Sequence, residues 1–131
     1  MLDTNVLLVS VSSRSRLYWL YESFLAGKYI LCVTTEVLAE YAEIMTRHGG
    51  MEFCNRTLEA ITNAANTRFI SPTYHFNLLR DPDDNKFVDC AIAANAQCIV
   101  SHDGDFRVLR DIEFPKVLVV DTAGFRGLLG K

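Results

Sequence analysis

Short, largely apolar runs alternate along the chain with longer segments of helical period. Tyr29–Val33, Cys98–Ser101 and Lys116–Val120 are such runs. Continuous apolarity over so few residues suits strands buried on both faces, the pattern of a parallel sheet whose crossovers are helices. Leu17–Ala26, Glu36 to about His48, Glu52–Ala65, Asn85–Ala96 and Ala123–Leu129 read as the helices. Gly27 and Gly49-Gly50 supply stops, Thr34 or Thr35 a start, and Asp83 and Asp121-Thr122 further caps. Phe69-Ile70 is a short strand and Asp105–Arg110 a helical turn or two. Leu2 with Val6–Val11 reads as a strand that turns at Asp3 into a helix. The expectation is an α/β fold, a parallel sheet with helices on both faces. The 131 residues, 50% of them hydrophobic, fit one domain over 1–131. Only Met1 and Leu2 precede Asp3, so the first strand would be very short. A start upstream of Met1 would lengthen it, and the intact mass of the native protein tests this.

The formal net charge is −3, which excludes a strongly basic, constitutive nucleic-acid binder but leaves room for a local basic patch. Cys32, Cys54, Cys90 and Cys98 have neither C-x-x-C pairing nor a His at zinc spacing, so reduced core thiols and a reducing compartment are expected. No apolar run approaches the ~20 residues of a membrane span and no leader pattern is present, so the reading is a soluble cytoplasmic protein with no membrane contact.

Acidic residues stand in awkward places. Asp3 lies in an apolar run, and Asp103 follows the strand Cys98–Ser101, so both would project from the carboxyl edge of the sheet, where open parallel sheets bind ligands. Either alone could be a turn or capping residue. Asp89 sits in Phe87-Val88-Asp89-Cys90-Ala91-Ile92-Ala93-Ala94, a helix apolar nearly all round, and a buried carboxylate without a partner costs several kcal/mol. Its plain alternative is a pair with Lys86. Glu40 shares a face with Glu36 and Glu43, which alone reads as a solvated acidic face. Four carboxylates converging at one edge would repel, so either their pKa values rise or a cation compensates them. Oxygen ligands with few histidines suit Mg²⁺ or Mn²⁺ and phosphodiester hydrolysis.

Four motifs in order then carry a resemblance: Asp3-Thr4-Asn5-Val6-Leu7; Glu40 within Glu36–Tyr41; Asp81-Pro82-Asp83-Asp84-Asn85-Lys86-Phe87-Val88-Asp89; and Val100-Ser101-His102-Asp103-Gly104-Asp105-Phe106. Together they resemble the PIN-domain nucleases, in the branch of toxin components of toxin–antitoxin pairs. The resemblance implies a three-layer α/β/α fold around a four- or five-stranded parallel sheet, and Mg²⁺- or Mn²⁺-dependent endonucleolytic cleavage of single-stranded RNA. It places Asp3, Glu40, Asp89 and Asp103 on the family's acidic positions, as catalytic residues and metal ligands. Asp105 and Asp84 are secondary ligands, and Asn5 and Ser101 are polar supports. Ser101 stands where the family often has Thr and keeps the hydroxyl.

Arg14, Arg16, Arg80, Lys86 and Arg107 flank these motifs and could hold RNA phosphates, against the plain reading of solubilising charge. His102 could touch substrate. An antitoxin protein is the implied partner, and Leu17, Trp19, Leu20, Phe24 and Tyr41 offer apolar surface for a homodimer. The competing reading is a non-catalytic PIN-like module that binds RNA or protein. A haloacid-dehalogenase-like phosphatase would want Asp-x-Asp where this chain has Asp3-Thr4-Asn5.

Overall fold

The structure is a computed structural model describing residues 1–130. In chain order it runs α1 (Thr4–Ser10), α2 (Tyr18–Leu25), β1 (Leu31–Val33), α3 (Thr35–Asn63), β2 (Thr67–Phe69), α4 (Pro82–Ala93), β3 (Ile99–Val100), a 3₁₀ helix (Gly104–Asp111), β4 (Val119–Val120) and α5 (Thr122–Leu128). The strands pair in parallel, β1 with β2 and β3 with β4, and a helical segment crosses over within each pair. The α/β architecture expected from the apolar runs is therefore present.

The sheet differs from the four or five continuous strands expected. The described residues form two two-stranded sheets plus a single parallel bridge, Leu2 to Val100. The bridge uses the groups flanking Leu2: Val100 N–H donates to the Met1 carbonyl at 2.9 Å and Asp3 N–H to the Val100 carbonyl at 3.0 Å. The carbonyl of Leu2 itself then points to the opposite edge, where it accepts from the Tyr41 hydroxyl of α3 rather than from another strand. A two-residue segment has no further backbone groups with which to extend a ladder. β3 thus lies between the N-terminal segment and β4, so Asp3, Ser101 and Asp121 all emerge at one carboxyl edge.

Helix ends follow local chemistry. At the end of α2, Gly27 takes φ 75°, with Gly27 N–H on the Phe24 carbonyl and Lys28 N–H on the Ser23 carbonyl, both at 2.9 Å. This is the paired bonding of a glycine-terminated helix. Thr34 caps α3, its hydroxyl accepting from Val37 N–H at 3.0 Å. Gly50 (φ 86°, ψ 169°) divides α3 where the two expected helices were to meet. α4 begins earlier than expected: Pro82 occupies its first turn and Asp81, not Asp83, is the cap, accepting from Asp83 N–H at 2.9 Å. Proline suits that position because its missing N–H would have no helical partner there.

The core packs Leu2, Leu20, Phe24, Val33, Tyr41, Phe87, Ile99 and Phe106 among others, all at most 2% exposed. Leu20, Phe24 and Tyr41 therefore offer no surface to a second copy; of that set only Leu17 and Trp19 are part-exposed. All four cysteines are buried and unpaired. No helix among the described residues is long and apolar enough to cross a membrane.

Candidate active site

At the carboxyl edge, the backbone bond between Asp3 and Val100 sets the first strand end beside the third. Asp3 is buried at 8% exposure. The Ser101 hydroxyl donates to its Oδ2 at 2.8 Å and accepts from Asp103 N–H at 3.0 Å. One hydroxyl thus ties both acids together. Burial raises the Asp3 carboxyl above its ordinary range; the Ser101 bond opposes this, and the charges of Asp103 and Glu40 add to it. Asn5 is exposed beside Asp3.

Asp103 starts the 3₁₀ helix, its Oδ1 accepting from Asp105 N–H at 2.9 Å. That turn brings Asp105 back toward Asp103. Asp84, from the first turn of α4, completes the group: Asp84, Asp103 and Asp105 each offer a carboxylate oxygen, and all three oxygens lie within 4.8 Å of one another. Partial burial pushes Asp84 up to about 6, and Asp81, Asp103, Asp3 and Asp105 add to the shift in that order. Asp84 thus feels the charge of Asp3, and both feel that of Asp103.

Glu40 reaches this cluster from α3. It is half-buried while Glu36 and Glu43 are exposed, so the solvated-face reading holds for its neighbours and not for Glu40. Its Oε2 accepts from the Thr4 hydroxyl, and its Oε1 lies 2.9 Å from Lys86 Nζ. Lys86 is therefore the counter-charge of Glu40, neither the partner of Asp89 nor a free RNA contact.

Asp89 does not join the cluster. It is buried at 4% exposure, as expected, but both oxygens are engaged by the segment before α4. Oδ1 accepts from Phe76 N–H at 3.1 Å, and Oδ2 lies 3.1 Å from His75 Nδ1. One turn earlier, Asn85 holds the same segment: Oδ1 accepts from Leu79 N–H at 2.9 Å, and Nδ2 donates to the Leu79 carbonyl at 3.3 Å. Asn85 and Asp89, four apart, form the face of α4 that fastens residues 75–79, while Asp84 faces the sheet edge. The cause is the helix start. With α4 beginning at Pro82, Asp84 sits at its sheet-edge end and Asp89 lies about 7.5 Å further along the axis. The Pro82–Asp83–Asp84 signature of a first turn could have shown this, since acids gather there. The Thr4 hydroxyl and the His75 ring carried no comparable signal.

Arg14, Arg16, Arg80 and Arg107 are exposed. His102 is held by its Nε2, 3.1 Å from the Thr122 hydroxyl. Clefts open on two sides of the acids. One, about 300 Å³, is lined by Asp3, Asn5, Val9 and Leu17; the other, about 400 Å³, by Arg107, Arg110 and Asp121; His102 and Asp103 border both. Asp103 thus stands between two depressions. An all-oxygen donor set of this kind, close-packed and short of counter-charge, fits a hard divalent cation.

The family profile described as PIN domain matches residues 1–105. No curated protein matches the chain. Among solved structures, the chain is similar in fold to the crystal structure of VapBC2 from Rickettsia felis bound to a DNA fragment from their promoter. The TM-score is 0.64 at 20% identity, over 92% of this chain and 96% of that one.

Proposed function

The chain belongs to the PIN-domain family, and from that premise we propose that it is a divalent-cation-dependent endoribonuclease that hydrolyses single-stranded RNA. The observation that carries this is the convergence of Asp3, Asp84, Asp103 and Asp105, with Glu40 beside them, at the carboxyl edge of a parallel sheet. Asp84, Asp103 and Asp105 would hold the cation, with Asp3 adjacent, and Mg²⁺ or Mn²⁺ is the ion such donors favour. When bound, it supplies Lewis-acid chemistry: acidified water and neutralised charge on the phosphoryl oxygens.

The protein's own residues prepare the site. Ser101 fixes the Asp3 carboxylate. Thr4 and Lys86 fix Glu40 and remove part of its repulsion of Asp3. Asp89 and Asn85 fasten the segment leading into α4 and so hold Asp84 at the edge; in this reading Asp89 positions the site instead of ligating. The depressions on both sides would admit a single strand, whose phosphates meet exposed arginines.

We assign the chain to the toxin half of a toxin–antitoxin pair, acting in the cytoplasm with an antitoxin protein as partner. The resemblance in its four acidic motifs and the fold shared with VapBC2 support this. The test is cleavage of varied single-stranded RNAs with Mn²⁺, lost in chelator and in Asp3→Asn. Intact RNA after incubation with folded protein and Mn²⁺ would instead favour a non-catalytic binding module.

A further inference from the structure

The larger cleft carries two guanidinium groups with no acidic partner. Arg107 and Arg110 line it, and neither forms an ion pair among the described residues. They stand three apart in a 3₁₀ helix, where a repeat of three residues per turn stacks them on one face. The same period puts Phe106 and Leu109, each 1% exposed, on the buried face. Gly104 is the next residue of the arginine column. A Cβ there would lie 3.8 Å from Nε and Cζ of Arg107, so the guanidinium folds back over the glycine beside Asp103. Lys116, outside the cleft lining, donates its Nζ to the Arg110 carbonyl at 3.3 Å. Of the acids that line the cleft, Asp103 accepts from Asp105 N–H and Asp121 from Gly124 N–H at 2.7 Å, and neither pairs with an arginine.

Adjacent guanidinium groups that no carboxylate pairs leave their donor forks open, and such forks suit phosphate oxygens. Ser101 and Asp103 border the cleft, so it opens directly off the acid cluster. We infer that Arg107 and Arg110 form a phosphate subsite, which holds the RNA backbone phosphate next to the one being cleaved and runs the strand out along the β4 side. This rests on the ribonuclease reading and adds the path of the substrate and a residue, Arg110, not among the cations singled out in the sequence.

The test is binding of a short fluorescent oligoribonucleotide by the Asp3→Asn protein in chelator, titrated over a range of salt. Adding Arg107→Ala or Arg110→Ala should weaken binding about tenfold at low salt and flatten the slope of log affinity against log salt by about 0.7 per arginine. Arg107→Lys and Arg110→Lys should keep most of the slope, because the charge remains. Arg56→Ala, exposed on α3, should leave it unchanged. RNA binding with an unaltered slope in the alanine variants, or an equal loss in Arg56→Ala, would overturn the subsite while leaving the ribonuclease reading intact. If the Asp3→Asn protein binds no RNA at all, the subsite falls, and cleavage by the wild-type protein with Mn²⁺ decides the ribonuclease reading separately.

Discussion

Asp84 carries the electrostatic tension of the site. Its carboxyl is pushed from an ordinary 3.8 to about 6 by burial and by four neighbouring acids. A raised folded-state pKa means that ionisation opposes folding. The stabilising contribution is full below the unfolded value and is lost as pH rises through about 6. Without metal, the wild-type protein should therefore melt at a lower temperature as pH climbs from 4 to above 6, more steeply than Asp84→Asn does. At pH 7 in chelator the variant should be the more stable of the two. Added Mn²⁺ should reverse the order, because a cation in the cluster stabilises the ionised form. Thermal melts across pH, with and without metal, check each sign.

Lys86 gives a second residue-scale outcome. Its pair with Glu40 is mostly buried, with side chains 18% and 21% exposed. Lys86→Ala should cost about 1–2 kcal/mol, between the values of exposed and buried pairs, as read from denaturant midpoints. The same change should tighten Mn²⁺ binding, since it removes a cation from beside the acids.

At the scale of elements, the sequence disclosed most of what local chemistry decides. Gly27, Thr34, Gly50 and Asp121 act where their residue types predict, because caps and stops depend on neighbours within a few positions. The phase of α4 was less legible. Asp84 and Asp89 lie five apart in one helix, and which one faces the sheet edge depends on Pro82 opening the helix and on residues 75–79 docking against Asn85 and Asp89. Those partners are set by tertiary contact, to which a pattern along one helix is blind. Asp89→Ala should accordingly cost about 2–3 kcal/mol, from a buried carboxylate's lost bonds. Asp89→Asn should cost less, since the amide oxygen can still accept from Phe76 N–H. In Asp89→Asn, Mn²⁺ affinity should stay within about threefold, while Asp84→Asn lowers it by more than about tenfold. Calorimetric titration of the two variants separates the positioning role from the ligand role. Gly50 offers a purely structural check: at φ 86°, ψ 169° a side chain is strained, and Gly50→Ala should cost about 1–3 kcal/mol.

For the whole molecule, the alternation of apolar runs was enough to foresee a parallel α/β fold, and strand-end acids were enough to foresee that carboxylates would gather at one edge. The extent of the sheet was not foreseeable from those runs. The strands expected at 29–33, 98–101 and 116–120 shrink to two or three paired residues, the one expected at Phe69-Ile70 moves back to Thr67–Phe69, and the N-terminal segment makes a single bridge while its outer carbonyl turns to Tyr41. Apolar runs mark burial, whereas pairing depends on which backbone groups meet. What survives this shortening is the placement that matters for chemistry: Asp3 beside Ser101, Asp103 two residues on, and Asp84 brought over from α4.

The central claim is that these acids form one cation site that cleaves RNA. Incubation of single-stranded RNA with the wild-type, Asp3→Asn and Asp84→Asn proteins, each with Mn²⁺ and with chelator, tests it most directly. Cleavage by the wild type with Mn²⁺, abolished by chelator and reduced at least about a hundredfold in both variants, is the predicted result. Cleavage that persists in chelator, or that Asp3→Asn and Asp84→Asn carry out at the wild-type rate, would contradict it.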